Sequence, residues 1–573
     1  MLASKYLLFT LKEISNNSKD ISNKLMIRSG MIRRLSSGIY TWLPNGLRVL
    51  KKLKNIIRNE MNKSNSIEIS LPIMQPIDFF KQSGRLSKYK NDLFIIKDRN
   101  NKLLILGPTN EELITKIISN NNFSYKQLPI ILYQIQTKFR DEIRPYGGTI
   151  RSREFLMKDA YSFHYDKKSL KKTYKKIYEI YKKIFNKIGL NFVFVKAYNG
   201  SIGGKISHEF QVFSKFGKDK IAISNKSKYA ANIEIAKYKF LNYKIDKYKD
   251  IRLLDTSNIN NVNELIKCFS IKHRKITKTY IVKANKKICK SNFIALILCI
   301  DHDINIIKIE KLPQIYCPLT LASNKEIYNI FKTNIFYLGP VNMKIPFIVD
   351  YSAYIMNNFI SGSNINNKHF FNINWKRDVN VKQIEDLRNV VNGDISPDGK
   401  GKLKIKKCIE IGHIFKLGNK YSKNMKLNIK GKNGKNHNIL MGCYGIGITR
   451  LISSIIEQNN INNKIIWPEC LAPFNVAILP INIHKSFIVN KISNYLYNKI
   501  KNLGIDTFLY DKKESPGIMF SNIDLIGIPN HIIVSERNLK NEQIEYKNLI
   551  NNEIKLINTN KIVYYLYKKF LKL

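Results

Sequence analysis

Alternating and helical patterns of apolar residues predict the elements of the first part of the chain. Leu47 to Met61 places apolar residues at helical spacing with basic residues between them, which predicts an amphipathic helix. Leu170 to Ile188 repeats this pattern with lysine and tyrosine and predicts a helix with a solvated face. Strands are predicted at Ile67 to Met74, Leu103 to Leu106 and Pro129 to Gln136.

The pattern changes in the middle of the chain. Lys237 to Asp250 is rich in lysine, tyrosine and asparagine without a core pattern, which predicts a linker into an inserted domain. Dense turn residues in Arg388 to Gly401 predict the end of the insert. Between these limits helices and strands alternate, as in a mixed α/β domain. The predicted helices are Val262 to Phe269 and Asn324 to Phe331, and the predicted strands are Thr279 to Ala284 and Phe293 to Ile300.

The chain then resumes with the apolar segment Ile409 to Leu417 and the glycine-rich segment Met441 to Arg450, which leads into a helix predicted from Thr449 to Gln458. Beyond Pro473 a β-α-β order predicts a separate doubly wound domain with a mostly parallel sheet. Its predicted strands are Asn475 to Pro480, Asp506 to Tyr510 and His531 to Ser535, and its predicted helix is Ser486 to Leu503.

The charge of the chain suggests a polyanionic partner. The 573 residues include 97 Lys and Arg against 43 Asp and Glu, which gives a formal net charge of +54. Such an excess favours nucleic acid through Coulomb attraction and counterion release. Codon bias is an equal alternative, because Lys, Asn and Ile recur along the chain and all three have A/T-rich codons.

The cysteines and the apolar runs exclude other classes. No two of the seven cysteines stand at C-x-x-C spacing, so we expect neither a disulfide framework nor a structural zinc site. The longest apolar run, Phe293 to Ile300, suits a buried strand rather than a membrane span. No signal peptide is predicted, and the reducing cytoplasm is the expected location.

Two arginines flank a loop that could hold a nucleotide. Arg140 and Glu142 follow one predicted strand, and Arg151 and Phe155 begin the next. Arginine binds phosphate through two parallel hydrogen bonds, so this pair could hold a triphosphate while the glutamate binds a base amino group. The alternative is an exposed hairpin with surface salt bridges.

Two further segments carry candidate chemistry. Gly442 to Arg450 is a glycine-rich turn before a helix, where anions are favoured, and the alternative is a plain strand-to-helix turn. Gly107 to Glu112 offers the Thr109 hydroxyl and the Glu111 carboxylate to a substrate ammonium. The alternative for this segment is a capping box from Thr109 to Glu112.

The order of these segments resembles that of class II aminoacyl-tRNA synthetases. Longer segments resemble the bacterial-type prolyl-tRNA synthetases, and the resemblance covers essentially the whole chain. These segments are Tyr125 to Pro129, Gln134 to Arg144, Arg151 to Phe163, Ser201 to Val212, Tyr229 to Glu234, Leu338 to Met343, Gly412 to Ser422, Met441 to Arg450 and Leu525 to Pro529.

The resemblance implies both a fold and an activity. The expected fold has a class II catalytic domain built on an antiparallel sheet, an inserted mixed α/β editing domain and a C-terminal α/β anticodon-binding domain. We predict the catalytic domain at residues 1–234 and 391–472, the editing domain at 235–390 and the anticodon-binding domain at 473–573. The implied activity is that of a proline–tRNA ligase, which activates proline with ATP and transfers it to tRNA(Pro). A homodimer joined through the motif-1 region is also implied.

Site residues are carried over position by position. Arg140 matches the motif-2 arginine on the α-phosphate, Glu142 the adenine-reading position, Phe155 the ring that stacks on adenine and Arg450 the motif-3 arginine on the γ-phosphate. The implied ATP-binding set is completed by Arg151, and Arg140 and Arg450 are the implied catalytic pair. The implied proline-binding residues are Thr109, Glu111, Arg140 and His413, and the implied Mg²⁺ ligand is Glu410. Asn110 departs from the family's histidine, and Tyr146 departs from a basic residue.

The insert implies a second, hydrolytic activity. Alanine is smaller than proline by two methylenes, and each missing methylene discriminates by only about 1–3 kcal/mol, so hydrolysis of alanyl-tRNA(Pro) is expected. The matching residues are Lys283, Gly339, Asp350 and His369. Lys283 would hold the tRNA end, and His369 would shape the alanine pocket. For His369 alone, the alternative is a histidine in a surface loop.

Other class II synthetases and a non-catalytic relative are the alternatives. No zinc-ligand set supports a threonine enzyme, and no long N-terminal coiled coil supports a serine enzyme. The presence of Arg140, Glu142 and Arg450 argues against a tRNA-binding relative without catalysis.

Overall fold

The computed structural model divides the chain into two compact units. The first contains residues 1–194, 199–219 and 407–573, and the second contains residues 195–198 and 220–406. The structure describes residues 1–13, 20–121, 123–240, 247–259, 261–271, 273–431 and 434–571. Part of the predicted linker, residues 241–246, lies outside the described residues. The domain boundaries predicted from the sequence stay a prediction.

Six strands of an extended sheet form the centre of the first unit. In order across the sheet they are Ile206–Phe213, Leu403–Gly418, Leu440–Gly447, Glu154–His164, Ile130–Phe139 and Ile67–Glu68. Neighbouring strands are antiparallel except for the last pair, which is parallel. The sheet therefore brings residues near 140, 155, 413 and 445 together although they are far apart in sequence.

Helices bury apolar side chains on both faces of this sheet. One face is covered by Pro44–Asn62, Lys167–Lys187 and Ile448–Gln458, and the other by Glu111–Asn120. Successive residues of a strand point to opposite faces. Tyr444 accordingly belongs to the first apolar cluster and Cys443 to the second.

The smaller elements of the first unit correct one prediction. The strand predicted from Ile67 to Met74 is wrong, because the segment forms two short strands, Ile67–Glu68 and Met74–Pro76. Pro72 lies between them and has no N–H to donate to a ladder. Other elements here include the strands Ile32–Ser36, Ile39–Trp42, Ile95–Lys97 and Leu103–Leu106 and the helices Ile21–Arg28, Ile77–Gln82 and Leu86–Tyr89.

The C-terminal part of the first unit has a mixed sheet. In order its strands are Thr507–Leu509, Val476–Pro480, Asn530–Val534, Gln543–Asn548 and Glu553–Asn558, and its main helices are Phe487–Asn502, Pro516–Ile526 and Ile562–Leu571. The three predicted strands pair in parallel, as expected for a doubly wound domain, and the two further strands pair antiparallel, which makes the whole sheet mixed. A parallel crossover needs a dozen or more residues, and the connections after Val534 and Asn548 are shorter.

The second unit contains two smaller sheets. One has the strands Thr277–Lys283, Phe293–Cys299, Phe347–Asp350 and Ile384–Glu385, and the other has Arg252–Asp255, Lys368–Ile373 and Phe359–Gly362. The helices Val262–Phe269 and Asn324–Phe331 are confirmed at both ends. Their N-termini are fixed by Asn261 and Ser323, whose side chains accept hydrogen bonds from the first helical turn.

Within the described part of the chain, no helix combines the length and the apolar character that a membrane crossing requires.

A buried histidine makes the stability of the first unit sensitive to acid. His164 is fully buried, and its two ring nitrogens lie 2.9 Å from the Ser169 hydroxyl and 2.8 Å from the Ser162 hydroxyl. Burial lowers its pKa to about 4, against 6.5 ordinarily. Because the unfolded histidine gains a proton near pH 6.5 and the folded one only near pH 4, acid stabilises the unfolded state between these values.

We therefore expect the unfolding temperature of the first unit to fall between pH 7 and pH 5. His164→Gln should reduce this fall, whereas His484→Gln, which changes an exposed histidine, should leave it unchanged. Differential scanning calorimetry at both pH values measures the difference. An identical fall in wild type and H164Q would contradict the assignment.

Candidate active site

Arg140 follows the last residue of a central strand, and its guanidinium lies over the ring of Phe155. The strand Ile130–Phe139 ends one residue before Arg140, and Phe155 faces Lys138 on the neighbouring strand. The Arg140 guanidinium carbon is 5.2 Å from the centre of the Phe155 ring. Burial acts to lower the pKa of Arg140, but nearby acidic groups raise it overall. Its Nε has no hydrogen-bond partner among the described residues, so a donor remains for a ligand.

Glu142 and Arg151 pair with each other across the loop. Arg151 Nε donates to Glu142 Oε2 at 2.7 Å, and the Arg151 side chain is half exposed. This is the surface salt bridge that the alternative interpretation expected. Because Arg151 is half exposed, water screens the pair, which then contributes on the order of 1 kcal/mol, so a nucleotide could displace the contact at little cost.

Thr109 and Glu111 form a buried hydroxyl–carboxylate pair. Glu111 is 0% exposed, and its carboxylate accepts hydrogen bonds from the Thr109 hydroxyl at 2.5 Å and from Cys443 Sγ at 3.1 Å. The alternative of a capping box is wrong, because the helix Glu111–Asn120 begins after Asn110, whose side chain makes no capping bond. The Thr109 hydroxyl instead points at the Glu111 side chain.

Arg85, which the sequence analysis did not identify, neutralises charge at this position. Its Nη1 lies 3.2 Å from Glu111 Oε2 and 2.9 Å from Glu112 Oε1, and all three side chains are 0% exposed. Burial and the neighbouring Glu111 raise the pKa of Glu112. Burial also acts against ionisation of Glu111, but Arg85, Thr109 and Cys443 lower its pKa overall. Of the two carboxylates, Glu111 is therefore the one that ionises more readily.

Asn110 takes part in a buried polar network below the same loop. Its Oδ1 accepts a hydrogen bond from Lys138 Nζ, which lies 3.2 Å from Asp159 Oδ1. Asn110 and Lys138 are 0% exposed, and the Asn110 Nδ2 has no partner among the residues described. Asn110, where the resemblance implies histidine, therefore accepts a hydrogen bond from a buried lysine.

Arg450 and Glu410 meet on the other side of the site. Arg450 is the third residue of the helix Ile448–Gln458, and its Nη1 donates to the Glu410 backbone carbonyl at 2.9 Å and to Oε2 at 3.2 Å. Its Nε donates to the Ile150 carbonyl at 2.8 Å. These bonds fix the guanidinium beside a carboxylate at the start of a helix, where anions are favoured.

His413 joins two carboxylates. Its Nδ1 lies 3.2 Å from Glu410 Oε1 and 3.5 Å from Glu209 Oε1, and its ring stacks on Phe415 with centres 3.8 Å apart. Burial opposes ionisation of Glu410, but His413, Arg450 and Arg140 lower its pKa to about 2. Gly445 faces His413 across the ladder, and a Cβ there would lie 2.8 Å from the Met157 methyl group.

Glu209, Glu410 and His413 bring their ligand atoms within 4.8 Å of one another. Ionised carboxylate oxygens fit the preference of Mg²⁺, whereas an imidazole nitrogen fits it less well. Glu410 and Glu209 are therefore the residues that suit this ion. The sequence analysis missed Glu209, which precedes Phe210 in a strand and has no local signal of its own.

In the second unit Gly339 and His369 lie close together. Gly362 pairs with His369 between two strands, and a Cβ on Gly339 would lie 1.9 Å from the Gly362 carbonyl oxygen. The His369 Nδ1 lies 2.8 Å from the Thr256 hydroxyl. Burial lowers the pKa of His369 to about 4, so the ring is neutral at pH 7. His369 is 2% exposed and lies in a strand, which excludes a surface-loop histidine.

Lys283 and Asp350 have other partners. The Lys283 side chain is 43% exposed at the end of its strand, and its Nζ lies 3.5 Å from Glu326 Oε1. Asp350 is fully buried, and its carboxylate accepts hydrogen bonds from the backbone N–H groups of Ser352 and Leu387, both at 2.8 Å. Arg388 Nε is 3.7 Å away. The Asp350 carboxylate and the His369 ring therefore share no partner among these contacts.

The fold and the site together define a class II aminoacyl-tRNA synthetase. At the antiparallel sheet, Arg140 lies over Phe155 beside the loop that joins two strands, and Arg450 pairs with Glu410 at the start of a helix. The sequence model of the tRNA synthetase class II core domain (G, H, P, S and T) matches residues 94–459, and that of the anticodon binding domain matches residues 475–569. The chain belongs to this class II synthetase family and is an aminoacyl-tRNA ligase, as predicted.

Two solved structures of the prolyl-tRNA synthetase from Cryptosporidium parvum are similar to this chain. One is complexed with halofuginone and AMPPNP and the other with L-proline and AMP. Both are 12% identical over 96% of this chain, covering 74% and 77% of those chains, with TM-scores of 0.57 and 0.55. At this identity the likeness shows the fold, and it confirms the predicted class II architecture.

Proposed function

We propose that this chain is a proline–tRNA ligase of the bacterial type. The observation that carries the proposal is the buried pair of Thr109 and Glu111, in which a hydroxyl and an ionised carboxylate are held by Arg85 and Cys443. An ionised carboxylate at the end of a short loop suits a cationic secondary amine. The segments that resemble bacterial-type prolyl-tRNA synthetases, and the fold shared with the Cryptosporidium enzyme, support the choice of proline.

The residues fit the two steps of the reaction. In the first step the proline carboxylate attacks the α-phosphorus of ATP, and pyrophosphate leaves as prolyl-adenylate forms. Arg140 would stabilise the charge at the α-phosphate and Arg450 that at the γ-phosphate, while Phe155, Glu142 and Arg151 would hold the adenine end. In the second step a terminal ribose hydroxyl of tRNA(Pro) attacks the activated carbonyl carbon and releases AMP.

The proline side and the metal involve other residues. Thr109 and Glu111 would bind the imino group, and His413 would line the ring pocket. Mg²⁺ held by Glu410 and Glu209 would supply positive charge to the phosphates. We also propose a homodimer in the cytoplasm; the seven cysteines, which are unpaired thiols in the structure, support a reducing compartment.

Amino-acid-dependent exchange of pyrophosphate into ATP tests the proposal. We expect proline to give the fastest exchange of the twenty amino acids and alanine a slower one. Exchange that depends on threonine or serine instead would assign the chain to another member of the same family. If a folded preparation showed no exchange with any amino acid, the chain would instead be a relative that binds tRNA without catalysis.

We further propose that the second unit hydrolyses alanyl-tRNA(Pro). Its support is the pair of Gly339 and the neutral, buried His369, which could shape a small apolar pocket, together with the partly exposed side chain of Lys283 at the end of a strand in the same unit. Asp350 is the weakest member of the predicted set, because its carboxylate already accepts bonds from two backbone amides. We assign it to holding the start of the segment Tyr351–Tyr354.

Lys283→Ala should slow deacylation of pre-formed alanyl-tRNA(Pro) about 10- to 100-fold, because a charged contact with phosphate is worth about 1.5–3 kcal/mol. Proline-dependent exchange by the same preparation should be unchanged. Lys287→Ala, which removes an exposed lysine four residues away, is the matched control. Unchanged deacylation by K283A would show that this lysine is a solvated surface charge paired with Glu326.

A further inference from the structure

We propose that a lysine-lined groove on the first unit binds the phosphate backbone of RNA. The groove has a volume of about 680 Å³ and lies between the end of the helix Pro44–Asn62 and the helix Lys167–Lys187. Seven lysines line it against two glutamates, Glu60 and Glu179, and the lysines include Lys168, Lys171, Lys172 and Lys175. We call this surface the lysine groove.

The lysine groove lies on the opposite face of the sheet from the buried network around Asn110. Lys158 and Asp159 are neighbours in one strand and therefore point to opposite faces. Lys158 Nζ donates to the hydroxyl of Tyr181, which belongs to the helix beside the groove. Asp159 lies 3.2 Å from Lys138, the partner of Asn110 in the site. The groove is thus separate from the buried loop that would bind the amino acid.

The positive charge of this helix is concentrated and largely unbalanced. Residues 167–187 include nine lysines and one glutamate. Like charges four residues apart, such as Lys168 and Lys172, destabilise a helix by a few tenths of a kcal/mol per pair, a cost that a bound polyanion would remove. Among the described residues, no carboxylate lies within ion-pair distance of Lys168, Lys171, Lys172 or Lys175.

Codon bias does not account for this arrangement by itself. A/T-rich codons supply asparagine as readily as lysine, yet the same helix contains nine lysines and a single asparagine. The lysines also share one face of the helix, since Lys168, Lys171, Lys172 and Lys175 follow the spacing of three and four residues that lines up side chains. They are all exposed.

RNA fits the groove better than a membrane surface does. A helix that binds a membrane must bury a free apolar face in the lipid. Here the apolar face is already used, because Ile177, Tyr181 and Ile184 are 0% exposed in the core of the unit. A concave row of lysines suits a backbone of phosphates, which such grooves follow without reading sequence. The inference rests on the tRNA ligase activity of the family, and it does not depend on proline being the amino acid.

Titration with two fluorescent RNAs tests the proposal: a tRNA(Pro) transcript and a 20-nucleotide single-stranded RNA of unrelated sequence. The variant changes Lys168, Lys171, Lys172 and Lys175 to Gln in the full chain. Losing four phosphate contacts should reduce the slope of log K against log salt by about 3 and weaken binding of both RNAs at least about 10-fold at 0.1 M salt. Proline-dependent exchange should be unchanged.

Two control variants isolate the groove from total charge. The same four lysines changed to Arg keep the charge and should bind normally. A second control changes three lysines that are exposed elsewhere on the unit, Lys423, Lys426 and Lys430, to Gln. It should have little effect on RNA binding. An unchanged salt slope in the groove variant overturns the proposal, and so does an equal loss in the control at Lys423, Lys426 and Lys430. The proposal would also be overturned if the groove variant no longer bound vesicles of anionic lipid but still bound RNA normally.

Discussion

Arg450→Ala should reduce proline-dependent exchange of pyrophosphate into ATP by about 100- to 1,000-fold, the range seen when one preorganised donor to a developing charge is removed. The guanidinium is held by the Glu410 carboxylate and the Ile150 carbonyl at the start of a helix, so it is oriented before a nucleotide arrives. Arg450→Lys should recover only part of the activity, because lysine keeps the charge but loses the planar fork.

The control for this experiment is Arg537→Ala, which removes an exposed arginine from the C-terminal part of the chain and should leave exchange unchanged. Calorimetry of R450A is needed beside the kinetics, since the side chain also joins two segments of the first unit. Near-normal exchange by a folded R450A protein would remove this arginine from the site.

Arg85→Met should lower the free energy of unfolding of the first unit by about 3–5 kcal/mol, because it leaves two buried carboxylates without their shared cation. Glu111, Glu112 and Arg85 are all 0% exposed, so water cannot replace the lost partner. Denaturant unfolding measures the loss. Adding Glu112→Gln to R85M should recover part of it, since one of the two unpaired charges is then absent.

An exposed ion pair in the same unit gives the comparison. Arg58 pairs with Glu68 at 2.8 Å with about a third of each side chain exposed, and Arg58→Met should cost less than about 1 kcal/mol. Equal losses in R85M and R58M would show that Arg85 does not stabilise the carboxylates as proposed.

The sequence predicted those elements whose signals are local. The helices Val262–Phe269 and Asn324–Phe331 have their own capping residues, and the strand Leu103–Leu106 is a continuous apolar run. The strands Gln543–Asn548 and Glu553–Asn558 were missed: the first alternates polar and apolar residues over only six positions, and every residue of the second is exposed or half-buried, so it has no apolar run that marks a strand. Their existence depends on pairing with each other and with a distant strand.

The site shows the same division. Arg140, Glu142 and Arg450 stand in short motifs that the sequence displays, whereas Arg85 and Glu209 do not. Arg85 reaches Glu111 only through the packing of two segments 26 residues apart, and Glu209 meets His413 across a pair of strands about 200 residues apart in sequence. A possible signal for Arg85 was its identity, since it is an isolated arginine in a chain that uses lysine for most of its surface charge.

The order of strands in the central sheet has a consequence for synthesis of the protein. Ile206–Phe213 pairs with residues 408–416, and the strand Leu440–Gly447 is needed to join these to the strand Glu154–His164. At about 5–20 residues per second, a ribosome needs roughly 10–50 s to make the intervening chain. During that time the nascent chain presents unpaired strand edges, and neither Glu410 nor Arg450 exists. The central sheet therefore cannot be completed until the strand Leu440–Gly447 has been synthesised.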